Sequence, residues 1–242
     1  MKALITGASS GLGREMAFAL AERGCELVLC ARREERLREL AAELPTVCHV
    51  IAADVSDEEE CRLLYSAVRG DDLEIVINNA GFGLFGEFLD TDLDEELRMI
   101  DTNIRAVHIL TKLAVQDFAK RGHGYILNVA SSAGFLPGPL MATYYATKNY
   151  VLRLTQALRE ELRQAYPDAV ILMDHSRFLA PDRLEHEQEI LRRVGKNTDA
   201  QMRRGVLVIG TQVLEQSLDL DFDLLITDLC PMDLLLQRIG RL

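Results

Sequence analysis

Six short apolar runs, Ala3 to Thr6, Glu26 to Cys30, Val47 to Ala52, Ile75 to Ile77, Tyr125 to Val129 and Ala169 to Met173, alternate with longer stretches whose apolar residues recur at helical spacing. Runs this short and rich in branched side chains read as buried strands, and the stretches between them as amphipathic helices. Strand and helix in strict alternation build βαβ units around a parallel sheet. Right-handed crossovers then place helices on both faces, giving a doubly wound, three-layer α/β/α arrangement. Ligands of such sheets bind at the carboxyl ends of the strands, where the winding reverses.

At 242 residues and 48% hydrophobic the chain can bury a substantial core. A formal net charge of -11 argues against nucleic acid or an anionic membrane surface as a partner, because the summed field repels both. Five cysteines, Cys25, Cys30, Cys48, Cys61 and Cys230, form no C-x-x-C pair and no His/Cys spacing suited to zinc. They read as reduced thiols, and no metal is expected. Met1 and Lys2 lead straight into an apolar strand with no signal-like segment, and no stretch is long enough to span a bilayer, so the expectation is a cytoplasmic protein.

Between the first strand and the first helix lies Thr6-Gly7-Ala8-Ser9-Ser10-Gly11-Leu12-Gly13. Glycines at a strand-to-helix turn let backbone N–H groups approach a pyrophosphate at the helix N-terminus. They also serve a plain turn that needs positive φ. The second strand ends in Cys30-Ala31-Arg32-Arg33 and lacks the acidic residue that receives a ribose 2′-hydroxyl in NAD enzymes. Arg32 and Arg33 are suited to a 2′-phosphate, which favours NADP(H) over NAD(H); the alternative is solvated residues opening an Arg32 to Glu43 helix.

Further along stand Asp54 and Val55 after the third strand, Asn78-Asn79-Ala80-Gly81, Asn103, Ser131, and Tyr144 four residues before Lys148. Tyr144 and Lys148 share one face of a helix candidate, so the ammonium can sit near the phenol and stabilise its ionised form. Such a phenol exchanges a proton with a substrate oxygen, and the Ser131 hydroxyl can donate to that same oxygen. In order and spacing, over roughly residues 1 to 170, TGxxxGxG, NNAG, Asn103, Ser131 and YxxxK resemble the short-chain dehydrogenase/reductase family. The resemblance implies a Rossmann-like fold and NADP(H)-dependent reduction of a carbonyl or oxidation of an alcohol on a small molecule. It assigns catalysis to Asn103, Ser131, Tyr144 and Lys148. Cofactor contacts fall on Gly7, Ser9, Ser10, Gly11, Leu12, Gly13, Arg32, Arg33, Asp54, Val55, Asn79, Ala80, Gly81, Tyr144 and Lys148. In the resemblance Asn103 holds a water that links Lys148 to solvent. A homodimer or homotetramer through the helices around Asn103 to Phe118 and Tyr144 to Arg163 is also implied.

The resemblance ends near the sixth strand, where a Pro-Gly segment and a substrate lid are expected and absent. The chain runs instead through His175-Ser176-Arg177-Phe178, a charged helix candidate from Pro181 to Gly195, strand candidates Val206 to Gly210 and Leu224 to Thr227, Thr211-Gln212-Val213-Leu214-Glu215-Gln216-Ser217, and Gln237-Arg238-Ile239-Gly240-Arg241. HSRF, TQVxEQSLDxDxD and QRxGR resemble the second RecA-like lobe of superfamily 2 helicases, closest to the CRISPR-associated helicase-nuclease of type I systems. In such helicases Gln237, Arg238 and Arg241 face ATP bound by another lobe, and Thr211 lies near the nucleic-acid track. No GxxxxGK[ST] loop and no DExH or DExD box occurs, so ATP hydrolysis has no phosphate cradle here. The expectation is a chimera: a dehydrogenase-like region over 1–173 and a RecA-like segment over 174–242 whose βα units extend the same sheet. Three functions compete: an NADP(H) oxidoreductase, a nucleotide-binding chimera without turnover, and a helicase fragment.

Overall fold

A computed structural model of the chain describes residues 1–165, 170–173 and 206–209. Contacts divide the chain into two compact units, 1–155 and 156–242. The first unit runs β1 (Lys2–Thr6), α1 (Gly11–Glu22), β2 (Glu26–Ala31), α2 (Glu34–Glu43), β3 (Cys48–Ala52), α3 (Glu58–Val68), β4 (Leu73–Asn78), α4 (Leu93–Ile100), α5 (Val107–Arg121) and β5 (Tyr125–Asn128). The long helix α6 (Ala142–Ala165) begins within it.

All five strands are parallel, in the order β3-β2-β1-β4-β5. The chain winds outward from β1 to β3 and then returns to β4 on the other side of β1. The winding therefore reverses between β1 and β4, and the crevice of a doubly wound sheet opens there. Both faces of the central strands are buried, as continuous apolar runs require. Leu4, Val28, Cys30 and Val76 pack under Cys61, Leu64 and Tyr65 of α3 and Leu110 and Ala114 of α5. Ala3, Ile5, Leu27 and Leu29 alternate with them along β1 and β2 and are also fully buried.

Local chemistry fixes the helix ends. Asp57 accepts from the Glu60 N–H and Asp92 from the Glu95 N–H, with Glu58 to Glu60 and Asp94 to Glu96 filling the first turns of α3 and α4. Gly122 closes α5 in the left-handed conformation at φ 77°. The helical run from α4 to α5 is not α-helical throughout: between them Asp101–Ala106 winds as a π-helical stretch. The wider turn shifts the helical phase and buries Thr102, Asn103 and Ala106 together, the kind of bulge that often marks a functional site.

Burial pushes the thiols of Cys30 and Cys61 up to about 12, so both stay neutral, and all four cysteines in the described residues are free. Cys230 lies outside those residues. No helix among them is long and apolar enough to cross a membrane. In the second unit, β6 (Val170–Met173) and β7 (Val206–Ile209) pair in parallel, Val170 opposite Val206 and Met173 opposite Ile209. Among the described residues of this unit β6 and β7 form a two-stranded ladder. The helix candidate Pro181 to Gly195, the strand candidate Leu224 to Thr227 and the helicase-like motifs lie outside the described residues.

Buried polar groups tie the carboxyl ends of β4 and β5. Asn78 donates to Asn128 Oδ1 at 2.8 Å and to Thr111 Oγ1 at 3.1 Å, while Thr111 donates to Asn128 Oδ1 at 2.9 Å. Asn128 in turn donates to Thr155 Oγ1 at 3.0 Å. Replacing Asn128 by Ala strands several buried partners at once. Urea denaturation of Asn128→Ala should show a loss of about 2 to 3 kcal/mol, and a loss below about 0.5 kcal/mol would contradict the network's role.

Candidate active site

The glycine-rich turn sits at the mouth between β1 and β4, and its glycines divide into two roles. Gly7 and Gly11 both adopt left-handed backbone, at φ 67° and 57°. A Cβ on Gly7 would come within 2.8 Å of Ala80 Cα, and one on Gly13 would overlap the Gly7 carbonyl. These two glycines let the turn close against the end of β4. Gly11 differs, because nothing lies within 4 Å of where its Cβ would be. It opens α1 behind Ser10, whose side chain makes no cap hydrogen bond, and no acidic residue occupies the first turn. Free N–H donors, the positive end of a helix dipole and open space together form an anion cradle. Ser9 and Leu12 flank it, half-buried.

The turn is held by the first residue of the TGxxxGxG motif, for which spacing alone gives no role. Thr6 Oγ1 accepts from the backbone N–H groups of Asn79 and Ala80, each at 3.1 Å, and donates to the Ile77 carbonyl at 3.2 Å. Asn79 Nδ2 returns to the carbonyls of Thr6 at 3.0 Å and Gly7 at 3.2 Å. Asn79 thus staples the two loops, an interaction between residues more than seventy positions apart.

At the ends of β2 and β3 the structure brings Arg32 and Asp54 together, 3.8 Å apart, Arg32 exposed and Asp54 half-buried. Asp54 Oδ1 also accepts from the Ser56 N–H at 3.0 Å and hydroxyl at 2.7 Å, which fixes the carboxylate. Arg33 stands exposed at the N-cap of α2, and Val55 is buried beneath this edge.

The remaining residues converge at the other end of the crevice. Lys148 is 7% exposed; its Nζ donates to the Val129 carbonyl at 2.9 Å and lies 5.9 Å from the centre of the Tyr144 ring. Ser131 is buried at the start of a 3-10 turn, Ser132–Phe135, and its Oγ accepts from the Ala133 N–H at 3.2 Å, leaving its hydrogen to donate. Ser132 beside it is exposed. A Cβ on Gly134 would lie 2.8 Å from the Lys148 carbonyl, so the absence of a side chain there lets the Ser131 turn settle on α6. Gly81 faces Asn103 and Lys148 together: a Cβ there would meet Asn103 Oδ1 at 2.9 Å and Lys148 Nζ at 3.6 Å.

Asn103 does more than sequence implied. Its side chain accepts from the Phe82 N–H at 3.1 Å and donates to the Phe82 carbonyl at 2.9 Å, clamping the loop after β4. It also donates to Thr147 Oγ1 at 3.1 Å, and Thr147 donates to the Tyr144 carbonyl at 2.7 Å. Thr147 carries no motif of its own, Thr6 only opens the glycine-rich one, and the paired geometry exposes the part of each. Tyr145 packs over Gly138 and meets the Tyr144 ring edge to face, centroids 6.2 Å apart, whereas Tyr150 meets His108 at 2.7 Å on the exposed face of α5 and α6 and lies outside this cluster.

A doubly wound parallel sheet, an open helix N-terminus at the switch point, and a buried lysine paired with a tyrosine at the same mouth define a dinucleotide-dependent oxidoreductase architecture. Comparison with known proteins makes this specific. The family profile described as short chain dehydrogenase matches residues 1–167, and the chain belongs to that family. An uncharacterized oxidoreductase of Staphylococcus epidermidis is 36% identical over 162 residues, covering 66% of this chain and 70% of that protein. The bulky-bulky ketone specific alcohol dehydrogenase of Comamonas testosteroni superposes with a TM-score of 0.63 at 37% identity, covering 66% of this chain and 67% of that one. A short-chain dehydrogenase of Sphingobium yanoikuyae in complex with NADPH gives 0.67 at 29% identity, over 86% and 87%. A second profile, CRISPR-associated nuclease/helicase Cas3, C-terminal, matches residues 141–242 and overlaps the first.

The Thr6 contacts generate a direct test. Thr6→Val keeps the shape and removes the acceptor, so dinucleotide affinity measured by NADPH fluorescence should fall at least ~10-fold, whereas Thr6→Ser should stay close to the parent. Equal affinity for all three would remove the hydroxyl from its role.

Proposed function

We propose that this chain binds NADP(H) and interconverts a carbonyl and an alcohol on a small-molecule substrate. Tyr144 serves as general acid and base, Ser131 as donor to the reacting oxygen, Lys148 as the cation that supports the phenol, and Asn103 as the residue that holds the site loop. The single observation that carries this reading is the convergence of Gly81, Asn103 and Lys148 beside Tyr144 at the mouth whose other end is the open N-terminus of α1.

The residues fit a dinucleotide. Backbone amides from Ser10 to Leu12 would take the pyrophosphate, Asp54 and Val55 the adenine edge, and Asn79, Ala80 and Gly81 the inner wall. When bound, NADP(H) supplies or accepts the hydride; the protein contributes position and charge. Arg32 and Arg33 favour the 2′-phosphate form, because both are exposed and Arg32's one ion pair, at 3.8 Å, is loose enough to yield to a doubly charged group. In reduction, the Tyr144 hydroxyl gives its proton to the substrate oxygen while the Ser131 hydroxyl donates to the same atom, and Lys148 steadies the phenolate left behind. Oxidation runs the same proton path in reverse.

A second reading has its own support. The dehydrogenase match ends at residue 167 and the helicase-like match runs to residue 242, so a chimera of residues 1–173 with 174–242 is part of the proposal. Such a chain could hold the dinucleotide yet turn over poorly, since the family's cofactor cover is replaced. Pairing of two or four copies through α5 and α6, where His108 and Tyr150 stand exposed, also belongs to the proposal.

Titration with NADPH should quench or enhance its fluorescence, and NADPH should be consumed against a panel of carbonyl compounds. Tyr144→Phe should abolish consumption while sparing binding; unchanged turnover would remove Tyr144 from its role. The double variant Arg32→Ala/Arg33→Ala should lose about 10-fold or more in affinity for NADPH with little change for NADH. Equal losses for the two cofactors would count against the 2′-phosphate assignment.

A further inference from the structure

We infer, resting on the oxidoreductase reading, that the substrate is a neutral apolar carbonyl compound, and that carboxylates and acyl thioesters of phosphorylated carriers are disfavoured. Gly83 lies flat against Tyr144: a Cβ there would sit 3.2 Å from the ring and 3.1 Å from Met141 Cε. The loop after β4 therefore borders the tyrosine directly. The same loop is tied to the segment before α6, because the Gly86 N–H donates to the Leu140 carbonyl at 2.8 Å. Leu84, Phe88, Leu140 and Met141 line one small cleft between the two segments.

These segments present large apolar side chains. Phe85 is 72% exposed, Phe88 69%, Leu136 56% and Leu140 42%. Charge distribution defines what they receive. Residues 129–143 carry no ionisable side chain, and residues 83–92 carry Glu87, Asp90 and Asp92 but no lysine or arginine. The nearby charges that do exist are engaged. Glu96 accepts from Thr91 Oγ1 at 2.6 Å and from Thr143 Oγ1 at 3.0 Å, bracing the loop against the residue before Tyr144. Arg98 is held by both oxygens of Glu95, at 2.8 and 2.7 Å, with its guanidinium 5.7 Å from the Phe82 ring centre. Among the described residues, a carboxylate or phosphate reaching these two segments meets acidic side chains and no lysine or arginine on either, whereas an aryl or alkyl group meets Phe and Leu.

The test uses the full 242-residue chain with NADPH and compares acetone, acetophenone and valerophenone with 4-acetylbenzoate and acetoacetyl-CoA, by kcat/KM and by calorimetric binding of the same compounds. From acetone to valerophenone kcat/KM should rise roughly 10-fold or more, and 4-acetylbenzoate should fall roughly 10-fold below acetophenone. Phe88→Ala and Leu140→Ala should each cost valerophenone several-fold more than acetone. Equal or better use of either anionic compound would overturn the inference, as would failure of every neutral ketone to bind. Tight binding of valerophenone without consumption of NADPH would leave the inference standing and overturn the oxidoreductase reading alone.

Discussion

Everything at the mouth of the sheet depends on how closely the end of β1 approaches the end of β4. One hydroxyl, Thr6 Oγ1, satisfies two consecutive backbone amides from the other loop, and the amide of Asn79 reaches back to two carbonyls. Buried amides without partners cost more than a formed bond gains, so this seam has little freedom to open. Gly7 and Gly13 are required by the same approach, since a methyl group on either would collide with the facing loop. Only Gly11 is spared for the open side, and that asymmetry separates the glycines that close the fold from the one that faces a ligand.

A second seam runs from the loop after β4 to α6. Asn103 grips both backbone groups of Phe82 and also holds Thr147, one residue before Lys148. The π-helical stretch between α4 and α5 aims Asn103 inward. The lysine is anchored from the other side by the Val129 carbonyl at the exit of β5. A tyrosine and lysine one turn apart on a helix are common enough; what gives this pair a place is that three strand exits, β1, β4 and β5, are tied to each other and to that helix.

Much of this was legible in the sequence, for a physical reason. Strand and helix periods report burial directly, and the strands of the first unit begin and end close to where the apolar runs do. The YxxxK spacing fixes a shared helix face without any tertiary information, and the Ser131 position follows from a strand end. Thr147 and Glu96 were not legible, because each acts through a partner more than 40 positions away and carries no local signature; Thr6 opens the TGxxxGxG motif, but its bonds to a loop more than 70 positions away leave no trace in the spacing. The π-helical stretch between α4 and α5 was not legible either: its residues have ordinary helical character, and only the burial of Asn103 reveals the wider turn. The tail set two families of pattern against each other, and four-residue strands such as VILM and VLVI fit either, so periodicity alone did not decide between them.

The central claim is geometric: one crevice holds a dinucleotide with its phosphates at the start of α1 and its reactive ring beside the Tyr144 hydroxyl. Crystals of the protein grown with NADPH test it most directly. The account predicts density for the pyrophosphate over Gly11 and for the nicotinamide ring next to Tyr144, with the adenosine phosphate near Arg32 and Arg33. A dinucleotide bound elsewhere, or a tail segment filling the crevice in its place, would contradict it.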